Sequence, residues 1–418
     1  MRGNCAPAEM CDFTVIGIDD NGGSVGIHLS RTGNLLAGHS VFSGGKRHYG
    51  LVKEYLPPSH RWIDITIPLD DVFRQYEEAA SPIVVFASGD PLFFGFATTI
   101  RKRMPHASIK VYPVFNSLQT LAHRLVMRYD DMTTVSLTGR PWKEFDRALI
   151  ERKGKIGLLT DRVHTPAAIA ARALHYGYCN YRMHIGEALG GENEDVATIS
   201  LQEAAQGEYA FPNCVILERM DGRGCYREEH NRIMGIPHSS FSLLDGRVNM
   251  ITKMPIRLLS LAMLGLYEKR TLWDIGFCTG SVSIEAKMQF PHLDVEAFEI
   301  REQCSTIMEE NCRRMGVPGI EWHICDFTSL DLEGKISQGE LHTPDAVFIG
   351  GHGGKLCRIM EMLSKVMGPG GTVVFNSVKD PGEFEQAAVA YGFSEAEKST
   401  ITVDDYNSIT CCKVTKQL

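Results

Sequence analysis

A short segment in the second half of the chain combines an apolar run, a glycine turn and the start of a helix. It reads LWDIGFCTGSVSIE and spans residues 272–285, with Asp274 before the turn and Gly276 and Gly280 within it. The first N–H groups of a helix have no partner inside that helix, so such a turn can bind a carboxylate or a phosphate. The segment therefore predicts an anion-binding site at the edge of an α/β sheet.

The spacing of the glycines separates two kinds of ligand. A dinucleotide turn, G-x-G-x-x-G, needs glycine at positions 276, 278 and 281, where the sequence has Gly276, Cys278 and Ser281. The G-x-G-x-G turn of methyltransferases needs glycine at 276, 278 and 280, and the first and last of these are present. We therefore expect S-adenosylmethionine, with its amino-acid carboxylate facing the helix that Gly280 opens.

Acidic residues near the ends of neighbouring strands extend this prediction. Asp274 can receive the ammonium group of the cofactor, Glu299 its ribose hydroxyls, and Asp326 its adenine amino group. A carboxylate at the position of Glu299 also serves dinucleotides, so Glu299 alone does not discriminate. The candidate cofactor residues of this half are Thr252, Asp274, Gly276, Thr279, Gly280, Glu299 and Asp326.

Cys278 is the main departure from the methyltransferase turn, because a side chain there narrows the approach of the backbone to a ligand. Two interpretations remain open. The turn binds the cofactor with the thiol directed into the core, or it is a strand–turn–helix with a purely structural role.

A second, unrelated turn follows an apolar strand in the first half of the chain. It reads ASGDPLFFG and spans residues 87–95. Gly89 permits a tight turn, Asp90 offers a carboxylate, and Pro91 suits the first turn of a helix. The sequence therefore predicts a second ligand site, with a helix that starts at Pro91.

Alternating strands and helices surround both turns, which indicates an α/β fold. The strands predicted in the first half are 13–18, 83–88, 109–114, 133–137, 155–160, 183–189 and 213–219, and its helices are 117–127, capped by Asn116 or Ser117, and 166–176. The strands predicted in the second half are 272–276, 295–300, 320–325, 345–351, 372–378, 399–403 and 408–415. Its helices follow Thr252 and Gly280 and occupy 303–315, 356–366 and 383–392. The last two strands are separated only by DDYN, which predicts an antiparallel pair at a sheet edge.

The periodic pattern stops over Arg219–Phe241, where polar residues, glycine and proline dominate. We therefore predict an N-terminal domain of residues 1–220, a linker of residues 221–240 and a C-terminal domain of residues 241–418.

The composition is that of a globular protein, with 44% hydrophobic and 22% charged residues among 418. A net charge of −8 argues against a broad nucleic-acid surface. The 12 cysteines form no C-x-x-C pair, so a zinc ribbon or thioredoxin motif is unsupported, and because no cluster of metal ligands is visible, no metal is expected. The chain has neither an apolar signal core nor a membrane-length apolar run, so we expect a cytoplasmic protein with no membrane contact.

The order of several motifs carries a resemblance to a known family. The motifs VIGI, SGGKRHY, ASGDPLFFG, NSLQ, SLTGRP and LGGENED follow one another as in the tetrapyrrole methylases of cobalamin biosynthesis, and they resemble the precorrin C-5 methyltransferases. The motifs ITKMPIR, WDIGFCTGSVSIE, PDAVFIGGHGGKL and GPGG resemble the decarboxylating C-15 methyltransferases. From Phe13 to Val414, the chain resembles the bifunctional precorrin-6Y C-5,15-methyltransferases.

The resemblance implies an N-terminal tetrapyrrole methylase fold of two α/β lobes, followed by a class I, Rossmann-like methyltransferase domain. It also implies one S-adenosylmethionine site in each half, with Gly89, Asp90, Pro91 and Ser117 in the first. One motif departs from the family, because Asp19 in GIDDNGG stands at a position that is usually glycine.

The implied substrate is a tetrapyrrole with several carboxylate arms, which local cations must meet. The candidates are Lys46, Arg47, His48, Arg140, Lys253 and Arg257. The implied decarboxylation needs a proton on the macrocycle, and His352 in GGHGGKL follows a strand at the sheet edge where ligands bind. His352 is therefore the candidate catalytic residue, with a pocket-lining role as the alternative.

Other functions are possible on the same fold. A class I methyltransferase of RNA or of another small molecule would share the second-half pattern, although FIGGHGG replaces the Asn/Asp-Pro-Pro-aromatic motif of amino methylases. A non-catalytic regulator that binds S-adenosylmethionine is a further alternative, suggested by the two altered glycine loops, at Cys278 and at Asp19. We expect a homo-oligomer that acts on a small molecule.

Overall fold

A computed structural model describes residues 13–19, 35–79, 81–220, 232–403 and 407–418. The chain divides into two compact units. The first comprises the described residues within 1–140, 154–171 and 181–220, and the second those within 141–153, 172–180 and 221–418. The segments 141–153 and 172–180 therefore group with the second unit, while the boundary expected at residue 220 stays a prediction.

The first unit contains two sheets. The strands of the first sheet are β1 (Phe13–Ile18), β2 (Val41–Gly44), β3 (Arg61–Asp64), β4 (Ile83–Ser88) and β5 (Ile109–Tyr112). They are all parallel, in the order β3-β2-β4-β1-β5. The carboxyl ends of β1, β2 and β4 therefore meet at one edge of this sheet. Strand β4 is buried along IVVFA, as expected of a strand covered on both faces.

The second sheet of this unit is mixed. Its strands are β6 (Thr133–Ser136), β7 (Lys155–Leu159), β8 (Tyr181–Glu187), β9 (Asp195–Ser200) and β10 (Asn213–Arg219). They lie in the order β6-β7-β10-β8-β9, with β6 and β7 parallel and the remaining pairs antiparallel.

The second unit contains one seven-stranded sheet. Its strands are β11 (Thr271–Ile275), β12 (Asp294–Glu299), β13 (Ile320–Ile324), β14 (Ala346–Ile349), β15 (Thr372–Ser377), β16 (Glu397–Ile401) and β17 (Ile409–Thr415). The order is β13-β12-β11-β14-β15-β17-β16, in which β17 is antiparallel to both of its neighbours. The antiparallel pair expected at the sheet edge is thus confirmed, and the fold is the predicted Rossmann-like α/β arrangement.

Helices connect the strands of both units. They are α1 (Lys46–Val52), α2 (Asp70–Glu78), α3 (Phe96–Arg103), α4 (Ser117–Arg124), α5 (Lys143–Ile150), α6 (Pro166–His175), α7 (Leu201–Ala204), α8 (Met254–Leu264), α9 (Ser281–Gln289), α10 (Gln303–Met315), α11 (Leu332–Ser337), α12 (Leu356–Val366) and α13 (Gly382–Ala390). None of the helices in the described ranges is long and apolar enough to cross a membrane.

Local sequence explains several helix ends. Asn116, rather than Ser117, caps α4, because its Oδ1 accepts from the backbone of Gln119 at 2.9 Å while the Gln119 side chain accepts from the backbone of Asn116. Helices α8 and α10 end at Gly265 and Gly316, which both adopt the left-handed conformation.

The prediction that a helix starts at Pro91 is wrong. Asp90 Oδ1 accepts from the backbone of Leu92 at 2.8 Å, which closes a turn instead of a helix. The helix begins only at Phe96, after Gly95. The GIDDNGG loop beyond Asp19 lies outside the described residues.

Candidate active sites

The turn after β11 places two backbones in close contact. Gly276 has φ +78°, and a Cβ atom built on it would lie 2.5 Å from the backbone nitrogen of Gly351, in the turn after β14. Its N–H donates to the carbonyl of Phe298 at the end of β12. Because neither backbone can swing aside, only glycine fits at position 276, and three strand ends converge there.

The second glycine of this turn opens helix α9. Gly280 has φ +72°, and a Cβ atom there would lie 2.2 Å from Met308 Sδ on α10. Thr279, which is 1% exposed, presents its carbonyl to Asn311 Nδ2 of the same helix at 2.9 Å. The turn is therefore clamped against α10.

Cys278 occupies the turn with a backbone that normally favours glycine. Its φ is +49°, its residue is 7% exposed, and it belongs to the same hydrophobic cluster as Cys304 and Met308. Burial raises the pKa of the Cys278 thiol, and the thiol is hydrogen-bonded with that of Cys304. The side chain is thus part of the core, as the first of the two sequence interpretations requires.

Asp274 lies beside the turn with one oxygen available. Its Oδ2 accepts from the backbone and the hydroxyl of Ser283, at 3.2 and 2.6 Å. Its Oδ1 is buried and has no hydrogen-bond partner among the described residues. Burial raises the pKa of this carboxyl to about 7. A buried acceptor without a partner is rare and fits a ligand donor such as an ammonium group.

Glu299 ends β12 and is 4% exposed. Its Oε2 accepts from the backbone of Cys278 at 3.1 Å, and both of its oxygens accept from Arg301. Burial works to raise the pKa of Glu299, but Arg301 outweighs burial and holds it below the ordinary value. Ile300, which the sequence argument did not single out, follows Glu299 with 65% of its surface exposed.

Asp326 is found beyond the end of its strand, since β13 stops at Ile324. It caps a 3-10 turn through Thr328, and its Oδ2 accepts from Lys355 Nζ at 2.6 Å. Hydrogen bonds from Lys355 and Thr328 lower the pKa of Asp326 to about 2. Its position after β13 keeps it on the same edge of the sheet as Gly276 and Glu299.

His352 follows β14 on the same edge as the turn. Its ring meets that of Phe375 edge-on, with the centroids 5.6 Å apart. Its Nδ1 is buried and lacks a hydrogen-bond partner in the described part of the chain. The imidazole therefore has a buried nitrogen that no side chain of these ranges constrains.

The structure overturns one of the substrate predictions. Arg257 is 0% exposed, as is Glu285, to which its Nε donates at 3.0 Å. Its other nitrogens donate to the carbonyls of Thr252 and Ile236. A guanidinium that is buried and bonded in this way holds main chain together, so the prediction that Arg257 meets the substrate is wrong. Lys253 is 8% exposed and donates to the carbonyl of Val248.

The first-unit turn shows the same close approach of two backbones. Gly89 has φ +63°, and its N–H donates to the carbonyl of Ile18 at 2.9 Å. A Cβ atom built on Gly17 would lie 2.1 Å from the Gly89 carbonyl oxygen, and one on Gly89 would lie 3.0 Å from Asn116 Cα. The ends of β1 and β4 and the start of α4 therefore meet at this turn. Asp90 is partly exposed beside it, Pro91 is buried, and Ser117 starts α4.

Two of the predicted cationic residues of this unit contact the same serine, Ser88, which the sequence did not single out. Arg47 Nη2 and His48 Nε2 both lie 2.9 Å from Ser88 Oγ, where the ends of β2 and β4 are neighbours. Burial, followed by the charge of Arg47, lowers the pKa of His48 to about 4. His48 is therefore neutral near pH 7, and the positive charge of this cluster comes from Arg47 and the exposed Lys46.

Arg140 lies against an aromatic side chain instead of a carboxylate. Its guanidinium is 5.2 Å from the centroid of the Phe94 ring. Phe94 is 42% exposed and Leu92, in the same turn, is 58% exposed. A cation over an exposed apolar surface suits a flat ligand that carries carboxylates.

Comparison with known proteins gives these two units a family. Residues 41–205 match the Tetrapyrrole (Corrin/Porphyrin) Methylases, and residues 245–400 match the Precorrin methyltransferase domain. Two proteins of Salmonella typhimurium each resemble one part. A cobalt-precorrin-7 C(5)-methyltransferase is 29% identical over 49% of this chain and 98% of its own. A decarboxylating cobalt-precorrin-6B C(15)-methyltransferase is 34% identical over 32% of this chain and 66% of its own.

A third relative spans both units. It is the decarboxylating precorrin-6Y C(5,15)-methyltransferase of Sinorhizobium sp, which is 31% identical over 90% of this chain and 87% of its own length. The chain therefore belongs to the family of decarboxylating precorrin-6Y C(5,15)-methyltransferases.

Proposed function

We propose that this chain methylates a precorrin of cobalamin biosynthesis with S-adenosylmethionine, at C-5 in the first unit and at C-15 in the second. The second unit also removes carbon dioxide from the ring C acetate. One observation carries the proposal beyond family membership. Each unit has its own turn in which a glycine has no room for a side chain, Gly17 against Gly89 and Gly276 against Gly351.

In the second unit, the residues around the turn suit the three parts of the cofactor. The start of α9 at Gly280 and the free Oδ1 of Asp274 suit the carboxylate and the ammonium of its methionine end. Glu299 suits the ribose. Asp326 suits the adenine amino group, and the exposed Ile300 suits the flat face of the ring. Thr252 and Thr279 are the remaining candidate contacts.

In the first unit, Gly89, Asp90, Pro91 and Ser117 form the corresponding cofactor site. The close approach of β1, β4 and α4 leaves backbone N–H and carbonyl groups as its main contacts, with the Asp90 carboxylate at its rim. Arg47, with Lys46 beside it, supplies positive charge for the substrate carboxylates, and Arg140 over Phe94 adds a cation on an apolar surface.

The bound cofactor supplies an electrophilic methyl group. The chain holds the tetrapyrrole carbon in line with that group and keeps water away from both. Such placement contributes up to about 7–11 kcal/mol in ideal intramolecular cases. In the second unit, His352 manages the proton that the macrocycle takes up as the carboxylate leaves, since it follows β14 on the edge of the turn and its Nδ1 is not engaged by a described residue.

Mass spectrometry of the product tests this function directly. The purified chain, given precorrin-6B or its cobalt form together with S-adenosylmethionine, should add two methyl groups and remove one carbon dioxide. Calorimetry should show two S-adenosylmethionine sites per chain. An unchanged substrate, with cofactor binding intact, would favour the regulator instead, and a single site would contradict the two-site assignment.

The remaining alternative, a class I methyltransferase of RNA or of another small molecule, has no support from the relatives. Methylation of RNA by the purified chain would revive it. The homo-oligomer and the cytoplasmic location stay predictions, which size-exclusion chromatography and cell fractionation can test.

A further inference from the structure

Glu299 already accepts five N–H groups. Its Oε1 accepts from the backbones of Ile300 and Arg301, at 2.8 and 3.1 Å, and from Arg301 Nε at 3.0 Å. Its Oε2 accepts from the backbone of Cys278 at 3.1 Å and from Arg301 Nη2 at 2.7 Å. An ionised carboxylate offers about four lone-pair sites. As it stands, Glu299 therefore has no acceptor capacity left for a ribose.

The five donors differ in how easily they can leave. Three belong to the main chain, at the end of β12 and in the glycine turn, and cannot move without rebuilding the site. The other two belong to the Arg301 side chain, which is 35% exposed. Beyond Glu299, the guanidinium has a hydrogen bond with the Cys278 thiol and a weak contact from Nη1 to Met250 Sδ, at 3.9 Å.

Arg257, by contrast, is a guanidinium that its contacts fix in place. It is 0% exposed, and its three nitrogens donate to Glu285 and to two backbone carbonyls. Arg301 has neither that burial nor a carbonyl partner in the described residues. Its bidentate pair with Glu299 is strong but can be exchanged for another donor pair.

We propose that Arg301 competes with the cofactor for Glu299. The ribose diol displaces Nε and Nη2 of Arg301, and its two hydroxyls then donate to the Glu299 oxygens. This inference rests on the proposed function, because it takes Glu299 as the ribose ligand. It follows that the second-unit site binds cofactor less tightly than its contacts allow, since binding must first open the Arg301–Glu299 pair.

Calorimetric titration of the full chain with adenosine and with methionine tests this proposal. Adenosine carries the ribose and methionine does not. The Gly276→Ala chain, with its second-unit site blocked, shows the first unit alone, so the difference from the unmodified chain isolates the second site. Arg301→Met should tighten adenosine at that site by roughly 3- to 30-fold and leave methionine unchanged. Arg314→Met, which removes an exposed pair with Glu310 on α10, is the matched control and should change neither.

Two further results decide the interpretation. In a Glu299→Gln background, Arg301→Met should no longer tighten adenosine, because the contested carboxylate is gone. Weaker adenosine binding by a folded Arg301→Met chain would overturn the proposal and make Arg301 a residue that positions Glu299. If Arg301→Met does not fold, Arg301→Lys, which cannot form the bidentate pair, should tighten adenosine in the same direction. No difference between the unmodified and Gly276→Ala chains would instead contradict the proposed cofactor site itself.

Discussion

In both glycine turns two segments of backbone approach each other closely, but the side chains around the two turns differ. In the second unit the acidic residues of the turn are buried, with Asp274 1% and Glu299 4% exposed. In the first unit Asp90 is partly exposed and closes its own turn through the backbone of Leu92. The turn of the second unit thus places carboxyl groups inside a core, whereas the turn of the first unit lies nearer the surface and offers mainly backbone groups.

Because of this difference, we expect ligand affinity at the two sites to depend on the charge of their carboxyl groups to different degrees. A buried carboxylate feels weak solvent screening, so its protonation state and its partners strongly affect a ligand. The charge of a partly exposed carboxylate is screened by water, so at the first-unit site the fit of the ligand against the backbone should affect affinity more than charge does. We therefore expect both sites to fail when their glycines are changed, but only the second to respond steeply to pH.

Glycine replacement should have the largest effect, because a new Cβ atom meets backbone in both turns. Gly276→Ala should reduce the C-15 reaction and carbon dioxide release by about 100-fold or more, and Gly17→Ala should do the same to C-5 methylation. Separate assays of the two methylations check this.

Two other glycines of the same units give matched controls for these changes. A Cβ atom on Gly351 would make only ordinary contacts, 3.7 Å from Gly276 Cα, and one on Gly38 would meet nothing within 4 Å. Gly351→Ala and Gly38→Ala should therefore keep both activities. If Gly276→Ala removed both reactions in a folded protein, the two turns would not be separate sites.

Removal of single carboxylates should have the next largest effect. Asp90→Ala should impair only C-5 methylation, and Glu299→Ala only the C-15 reaction and decarboxylation. A lost hydrogen bond to a charged group costs about 1.5–3 kcal/mol, which is roughly 10- to 100-fold in cofactor affinity. Calorimetry on each variant measures it, and loss of both affinities from either change would break the comparison.

The sequence predicts elements well where local signals agree with the fold. Helix α10 covers the predicted residues 303–315, because its amphipathic pattern ends at Gly316, which adopts the left-handed conformation. The helix expected at Pro91 fails because the Asp90 side chain closes a turn first. The sequence does not reveal β2 (VFSG) and β3 (RWID), because each has only two apolar residues in a row, whereas the equally short β14 (AVFI) is apolar throughout.

The sites are harder to predict because their contacts are not local. Ser88 meets Arg47 and His48 across about 40 residues of chain, since β2 and β4 happen to be neighbours. Likewise, a cation in a promising motif, Arg257, turns out to serve a buried carboxylate, Glu285. Residue type indicates what a side chain can do, but packing decides which partner it meets.

A pH titration should separate the two sites by a smaller effect. Burial raises the pKa of Asp274 to about 7, and its ionised form is the one that accepts an ammonium group. Cofactor affinity at the second site should therefore fall as the pH drops below 7, by up to about tenfold per unit, with a proton released on binding. Calorimetry between pH 6 and 8 checks this.

The stability of the ligand-free protein should show the opposite trend. A carboxyl whose pKa is raised by folding stabilises the fold while protonated, so its contribution is complete below about 3.8 and is lost as the pH rises through 7. Asp274→Asn should remove both pH dependences. A second-site affinity that is flat from pH 6 to 8 in the unmodified chain would contradict the buried-charge description.

The smallest expected effect is on the stability of Cys278 variants. The informative result is which of two replacements, alanine or glycine, is the more stable. Cys278 has φ +49°, a conformation that costs a residue with a Cβ atom about 1–2 kcal/mol and glycine almost nothing. Its buried thiol offsets part of that cost. Cys278→Ala loses the sulfur and keeps the strain, whereas Cys278→Gly loses slightly more packing and relieves the strain. We therefore expect the glycine variant to be more stable than the alanine variant by about 0.5–1 kcal/mol, with cofactor affinity within about threefold of the unmodified chain.

Cys304 provides the opposite case, because it lies next to Cys278 but within helix α10. There alanine should be the more stable replacement by about 1 kcal/mol, since glycine is the poorer helix former. Chemical denaturation of the four variants tests both orders. If alanine were the better replacement at both positions, the left-handed conformation at Cys278 would carry no strain. The cysteine in the turn would then cost the fold nothing.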